Sequence, residues 1–290
     1  MNCIFCTKEF FMPVQTTTVT YGKEGKYSAY VATQERAEGP LPAIIVIQEI
    51  WGVDYHIEEV ARRFAEAGYV ALAPDLYSRN LRRLDGLDTT AIESVKSFLN
   101  TIQPADWHDR AKIDEAISRL PAEEGRKVGQ TLGLLFGGHD TEAYREQLSA
   151  AVTYLSEQNK TTKGQPIGGI GFCMGGGLSA TLASLDDRVR AAAIFYGRSP
   201  QDEVLNAIKC PVKGFYGELD SGITGQVPEF AQRMKSAGKD FSFHIFKGAP
   251  HAFFNDTRRS YHPDAARVAF ALVLDFFMRN LSPAEKVVLG

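Results

Sequence analysis

The stretch from Pro166 to Gly177, Pro-Ile-Gly-Gly-Ile-Gly-Phe-Cys-Met-Gly-Gly-Gly, limits what this chain can fold into more than any other. An apolar run ends in Gly171-Phe172-Cys173-Met174-Gly175, and a segment of helical character, Leu178 to Leu185, follows at once. Glycine two residues either side of a potential nucleophile, between a strand and a helix, predicts a sharp turn with Cys173 at its apex. The apex residue of such a turn holds strained backbone angles, so its neighbours must be small, and glycine leaves that room. The turn lifts the sulfur out of the sheet. It also aims the Met174 amide and the helix N-terminus at one point, which favours a thiolate or an oxyanion there. A glycine-rich turn around a buried, inert cysteine would carry the same letters. The partners of Cys173 therefore decide between the two readings.

With 290 residues, 44% of them hydrophobic and 23% charged, the chain can bury a large core. A net charge of −3 gives no electrostatic case for nucleic acid or an anionic membrane, and no apolar run reaches transmembrane length. The four cysteines, Cys3, Cys6, Cys173 and Cys210, suggest no disulfide scaffold in number or spacing. Residues 1–12 read as an N-terminal extension without the apolar core of a secretory signal, so a cytoplasmic location is expected. Met12, before Pro13, is a candidate natural start. Cys3-Ile4-Phe5-Cys6 has neither the second ligand pair of a zinc site nor the βαβ context of a redox motif. No metal and no cofactor is expected.

Ahead of the elbow, Thr17–Tyr21 and Tyr27–Thr33 are β-rich runs around Gly22–Gly25, hence a hairpin. Ala43–Gln48 is continuously apolar up to its last residue, as in a strand buried on both faces. Asp54 caps a predicted helix whose apolar positions Ile57, Val60, Ala61 and Phe64 recur at helical spacing, and Gly68 ends it. The next strand, Tyr69–Ala73, closes a right-handed crossover. From Arg79 to about Asp140 the rhythm breaks into charged, helix-rich sequence, with helices predicted at Ala91–Leu99 and Trp107–Leu120. A further helix runs from Thr141 to about Glu157. Strands then resume at Gly168–Phe172, Ala191–Tyr196, Val212–Tyr216 and Phe241–Phe246, with helices at Gly175–Leu185, Gln226–Ala237 and Asp264–Met278. The expectation is an α/β fold in one domain over 13–290. It has a mostly parallel central sheet, helices on both faces, and a helical cap inserted at about 79–140.

Catalytic groups in such a sheet belong in loops at the C-terminal ends of its strands. Asp220 lies just past Val212–Tyr216, and His251 just past Phe241–Phe246. A nucleophile, then an acid, then a histidine is the order expected after this kind of elbow. Other candidates fit less well. Glu218 lies nearer the strand than the loop, and His244 lies inside a strand. His262 precedes Pro263 at a helix start, and Asp256 and Asp264 follow the histidine. His56, His108 and His139 fall outside the resumed strand–helix series. Glu49 ends the buried run in Gln48-Glu49-Ile50-Trp51-Gly52, where an oxyanion-binding loop is expected. A carboxylate there opposes a developing oxyanion, so it reads either as a solvent-facing loop residue or as a hydrogen-bond acceptor for the Cys173 thiol.

Taken together, Ile47-Gln48-Glu49-Ile50-Trp51-Gly52, Ala73-Pro74-Asp75-Leu76-Tyr77, Gly171-Phe172-Cys173-Met174-Gly175-Gly176, Tyr196-Gly197, Tyr216-Gly217 through Asp220, and His251-Ala252-Phe253 resemble the dienelactone hydrolase family of the α/β-hydrolase fold. The resemblance implies a carboxylic ester hydrolase of the carboxymethylenebutenolidase class. It implies Cys173 as nucleophile, His251 as base and then acid, Asp220 as its orienting acid, and Glu49 as the carboxylate that contacts the resting thiol. The amides of Ile50 and Met174 would form the oxyanion hole, and Trp51 and Tyr196 match pocket-lining positions. Family members that cleave dienelactone place an arginine shortly after the histidine to bind the substrate carboxylate; Asn255 stands there in this chain, and the cap is longer than usual. Arg79, Arg82, Arg83 and Arg198 are the candidates for a replacement cation. The expected partner is a small ester or lactone, with the protein a monomer or small homo-oligomer. The competing class is a non-catalytic small-molecule receptor on the same scaffold.

Overall fold

A computed structural model of the chain describes residues 14–282 except 38, 104, 105, 108 and 139. The readings made for residues 1–12, and for His108 and His139, lie outside the described residues. The chain opens with a hairpin of β1 (Val14–Tyr21) and β2 (Tyr27–Gln34), antiparallel from Val14 opposite Gln34 to Tyr21 opposite Tyr27. A first crossover follows, β3 (Ala43–Ile47), α1 (Tyr55–Glu66) and β4 (Val70–Pro74). Asp54 caps α1 by accepting from the Ile57 amide at 3.2 Å, and Gly68, at φ +94°, turns the chain out of it.

Beyond β4 the chain leaves the sheet. A small hairpin, β5 (Ser78–Arg79) and β6 (Arg82–Arg83), turns through Asn80 and Leu81, both at positive φ. Four helices follow: α2 (Thr89–Leu99), α3 (Arg110–Ser118), α4 (Ala122–Phe136) and α5 (Thr141–Thr153). The sheet resumes with β7 (Ile167–Phe172), α6 (Met174–Leu185), β8 (Val189–Phe195), α7 (Asp202–Ala207) and β9 (Val212–Gly217). It ends with α8 (Ser221–Thr224), α9 (Val227–Ser236), β10 (Phe241–Phe246) and α10 (Pro263–Leu281). Helix α4 is the long element that sequence patterning left unassigned. Helix α5 gives way to a wider turn of π type at Tyr154–Gln158 rather than continuing as an α-helix.

The eight strands lie in the order β1-β2-β4-β3-β7-β8-β9-β10, antiparallel through β4 and parallel from there on. This is the α/β-hydrolase arrangement expected from the strand–helix alternation. The strands alternate their side chains between two cores, as a sheet covered on both faces must. Ala43, Ile45 and Ile47 of β3 join a cluster with Leu148 of α5, Leu182 of α6 and Phe230 of α9. Ile44 and Val46 join the opposite cluster with Val60 and Phe64 of α1 and Phe277 of α10. From β3 the chain moves first to one neighbour, β4, and later to the other, β7. The reversal leaves a crevice at the C-terminal ends of β3 and β7, where open α/β sheets bind ligands. Glu49 and Cys173 each follow one of these two strands.

Candidate active site

Cys173 sits at φ +54° and ψ −114°, between β7 and α6. A non-glycine residue holds such angles only where its surroundings leave no alternative. Those surroundings are backbone. A Cβ on Gly171 would lie 1.7 Å from the Gly175 carbonyl oxygen, and one on Gly175 would lie 2.4 Å from the carbonyl oxygens of Ile47 and Gln48. The start of α6 is thus pressed against the end of β3 with no room for a side chain. The Cys173 amide donates to the Phe195 carbonyl at 3.0 Å, which ties the apex to β8. The side chain is half-buried.

His251 and Asp220 come from adjacent loops that are laced together. The amides of Glu218 and Leu219 donate to the carbonyls of Phe246 and Ala249, both at 3.0 Å. Across this seam His251 Nδ1 lies 2.6 Å from Asp220 Oδ2, a short, charge-assisted contact. Glu218, the competing acid, accepts instead from the Gly248 amide at 2.8 Å. The His251 ring meets the Tyr196 ring at 5.1 Å between centroids, and the Cys173 side chain lies near enough to act on its titration. Burial works against its charged form, but the hydrogen bonds to Asp220 and Cys173 and their negative charge outweigh it, and the pKa is pushed up to about 10. The side chain is still 42% exposed, so one edge is open to an incoming molecule.

Glu49 is buried at 3% exposure, and both carboxylate oxygens are occupied. Tyr196 Oη donates to Oε1 at 3.0 Å, and Asn255 Nδ2 donates to Oε2 at 2.9 Å. The hydrogen bond expected between Glu49 and the Cys173 thiol is absent from the described contacts. A phenol and an amide already satisfy the carboxylate, while the thiol faces His251. Burial, reinforced by the Glu49 charge, pushes the Tyr196 phenol far above its ordinary value, so it remains a donor. Asn255 stands where an arginine was sought, but its amide is spent on Glu49.

The loop after β3 is held from the far side. Tyr77 Oη donates to the Ile50 carbonyl at 2.7 Å, and Gln48 Oε1 accepts from the Leu76 amide at 3.1 Å. The amides of Ile50 and Met174 donate to no described group. Trp51 is buried under Arg258, whose guanidinium carbon lies 4.7 Å from its ring centroid and 5.4 Å from that of Trp107.

Arg258 is the residue that sequence reasoning missed. Its planar cation is stacked between two tryptophans and makes no ion pair among the described residues. Burial lowers its pKa, with Glu49, Asp54 and Glu93 opposing at longer range. Of the four arginines named from sequence, two are already paired. Arg79 pairs with Asp140 at 2.7 Å, Arg83 pairs with Asp75 at 2.7 Å, and Arg82 and Arg198 are exposed. The signal for Arg258 was its place seven residues after His251 in the same loop. That loop is anchored one residue past Asn255. The His56 ring at 3.7 Å and the Arg63 guanidinium at 2.5 Å hold the Asp256 carboxyl down to about 2.

Among the described residues no three His, Cys, Asp or Glu side chains are placed to hold a metal ion, and no helix is long and apolar enough to cross a membrane. The dienelactone hydrolase family matches the chain over residues 27–281. A protein of Saccharolobus solfataricus named "Putative carboxymethylenebutenolidase" is 36% identical over 263 residues, covering 90% of this chain and 97% of its own. A solved structure named "Putative Dienelactone Hydrolase", from Klebsiella pneumoniae, superposes with a TM-score of 0.61 at 25% identity, over 92% of this chain and 99% of its own. A dienelactone hydrolase from Anabaena variabilis shares the fold, with a TM-score of 0.61 at 16% identity over 93% and 100%.

Proposed function

Because the chain belongs to the dienelactone hydrolase family, whose members are hydrolases, we propose that it cleaves small activated esters and lactones through Cys173, His251 and Asp220. One observation carries the reading: a cysteine at φ +54° on a strand–helix elbow faces a histidine whose Nδ1 lies 2.6 Å from a carboxylate.

The proton-transfer sequence follows from that geometry. Asp220 holds His251 in the orientation that takes the Cys173 proton, and the sulfur becomes the nucleophile as it gives that proton up. The thiolate attacks the carbonyl carbon, and the free amides of Ile50 and Met174 receive the oxyanion. One such donor is worth about 3 kcal/mol of barrier. As the tetrahedral intermediate collapses, His251 gives its proton to the departing oxygen and the acyl group stays on sulfur as a thioester. Neutral His251 then takes a proton from water. The hydroxide attacks the thioester, and sulfur leaves as thiolate.

A thiolate is itself a good leaving group. Productive collapse therefore requires an ester oxygen that departs at least as readily, as in enol esters, aryl esters and strained lactones. Amides should turn over poorly. Arg258, with its guanidinium edges unpaired, is our candidate for an acidic group on the acyl portion. Residues 79–140 are the candidate cap over this crevice, within a single domain over 13–290.

Mass spectrometry of acylated protein tests the reading. His251→Ala, incubated with p-nitrophenyl butyrate, should accumulate one butyryl group on the peptide containing Cys173, and Cys173→Ala should neither label nor turn over. Steady hydrolysis by Cys173→Ala would sink it.

A further inference from the structure

The central sheet ends in β1 on one side and β10 on the other, and the two edges differ in kind. Every exposed side chain of β1 is Gln or Thr, so that edge offers a partner little apolar surface. β10 is the opposite case. It runs in regular parallel register with β9, from Phe241 beside Val212 to Phe246 beside Gly217, without a bulge. Its sequence, Phe-Ser-Phe-His-Ile-Phe, holds no proline and no Asp, Glu, Lys or Arg. Phe243 and Ile245 are 38% and 40% exposed. They share a face with Phe241, which packs on Phe230 of α9 and stacks on Phe243 at 5.8 Å between centroids. The charges, prolines and bulges that ordinarily protect an edge are thus missing from this strand.

The backbone limits how a partner can lie. The carbonyls of Asp240 and Phe246 accept from the Val212 and Glu218 amides, so the even-numbered residues of β10 turn their amides and carbonyls toward β9. Phe241, Phe243 and Ile245 turn theirs outward, where no described strand meets them. An antiparallel partner must exchange hydrogen bonds with these odd-numbered residues. The side chains then select a register for a second copy related by a two-fold axis. Centring on Phe243 sets Lys239 against Lys247 of the second copy, and centring on Ile245 sets Phe243 against that lysine. Centring on His244 sets Phe243 opposite Ile245 and Ile245 opposite Phe243. Both pairs are then hydrogen-bonded, and all the apolar side chains lie on the α9 face. The same register brings the exposed Asp240 beside the exposed Lys247 of the second copy at each end of the strand.

We propose that β10 is an interface between two copies of this chain, paired antiparallel about a two-fold axis at His244 so that the two sheets continue as one. The partner is a second copy because the apolar pair and the end charges of this strand complement themselves when the strand is reversed. The pairing does not depend on which residue is the nucleophile.

Sedimentation velocity of the full chain over a wide concentration range should show a reversible monomer–dimer equilibrium. Phe243→Lys should remain monomeric at every concentration while keeping the wild-type circular dichroism spectrum. Ile245→Lys should do the same and serves if Phe243→Lys does not fold. Disulfide trapping with diamide as oxidant reads the register. His244 would face its own copy in a narrow, non-hydrogen-bonded pair with Cβ atoms about 4.5–5.5 Å apart, close to what a disulfide needs. His244→Cys should therefore give a dimer linked through position 244, identified by mass spectrometry of the non-reduced peptides, and neither Phe243→Cys nor wild type should give a comparable product. A wild-type chain that stays monomeric, with no trapped dimer in His244→Cys, would overturn the interface. A dimer undisturbed by either lysine substitution would do so too, since it would form elsewhere. Trapping through Phe243→Cys in place of His244→Cys would overturn the His244-centred pairing.

Discussion

Asp220→Asn is the substitution that most directly interrogates the site. It preserves shape and volume, removes the charge 2.6 Å from His251 Nδ1, and allows the amide to present N–H where the ring needs an acceptor. General acid–base catalysis by a positioned histidine is worth roughly 10²- to 10⁴-fold. At about 1.36 kcal/mol per decade that is roughly 3–5 kcal/mol of barrier. The structure argues for the upper part of that range. Asp220 is only 12% exposed, so water replaces it badly, and the one nearby acid, Glu218, is engaged with the Gly248 amide. Hydrolysis of p-nitrophenyl butyrate should therefore fall by roughly 10³- to 10⁴-fold in kcat, with KM changed far less.

The pH dependence carries a second, independent signature. His251 must be protonated to serve the leaving oxygen, and its pKa stands raised to about 10. Activity should hold through neutral pH and fall as pH rises through about 10. In Asp220→Asn the alkaline limb should move down toward the ordinary histidine value near 6.5. Stability follows the same sign. A group whose pKa is raised on folding contributes fully below its unfolded value and loses that contribution as pH climbs through the folded one. The Tm gap between wild type and Asp220→Asn should be widest near pH 6 and close by about pH 10. Solvent on the exposed edge of the ring reduces its size. A variant within threefold of wild type in kcat/KM, with an unmoved alkaline limb, would refute the assignment of Asp220.

Other substitutions probe the frame around the reacting atoms. Gly175→Ala puts a methyl 2.4 Å from the carbonyl oxygens of Ile47 and Gln48 and should cost more than about 4 kcal/mol in chemical denaturation; a loss under about 1 kcal/mol would show that α6 can back away from the end of β3. Tyr77→Phe removes the 2.7 Å donor to the Ile50 carbonyl and should lower stability by about 1 kcal/mol and kcat by several-fold, with KM nearly constant. In an Ile50 backbone-ester analogue, which lacks the amide donor, Tyr77→Phe should lower kcat no further if both act on one oxyanion contact; an additional several-fold loss there would show that they act separately. Arg258→Met keeps much of the packing between Trp51 and Trp107. It should raise KM by about tenfold for an ester with a carboxylate on its acyl part and leave a neutral ester unaffected, and equal effects on both would discount the cation.

Most of the framework was legible because it repeats local rules. The β7 elbow announces itself through glycines that serve close backbone approach, and β3, β4 and β8 through apolar runs buried on both faces. Asp220 and His251 were found because position at a strand end is readable from the strand pattern. The region from Arg79 onward was harder. Helix α4 has its apolar residues Val128, Leu132 and Leu135 on one stripe, but three glycines at 125, 129 and 133 blur the periodicity. Gly125 is needed where α4 crosses α3, since a Cβ there would meet the Ile117 carbonyl at 3.0 Å. That requirement belongs to the packing of two helices and has no expression within either one.

The contacts that escaped sequence reasoning share a different cause. Asn255, Arg258 and Tyr77 act through contacts spanning 206 residues in the first case and 27 in the last, between loops whose paths no periodicity encodes. A rule that reads the position four residues after the histidine as a substrate cation fails here because the loop turns there. The Asn255 amide donates to the Ala252 carbonyl at 3.0 Å, and the Arg258 amide to the Asn255 carbonyl at 3.1 Å. Those turns carry Asn255 inward to Glu49 and bring the guanidinium three residues later over Trp51. An asparagine is the fitting side chain inside, since it offers a donor to a carboxylate without burying a second charge. An arginine fits outside, where tryptophan faces cover its plane and leave its edges open. The loop thus gives Asn255 the contact with Glu49 and lays Arg258 over Trp51. Each can be altered while the other is retained.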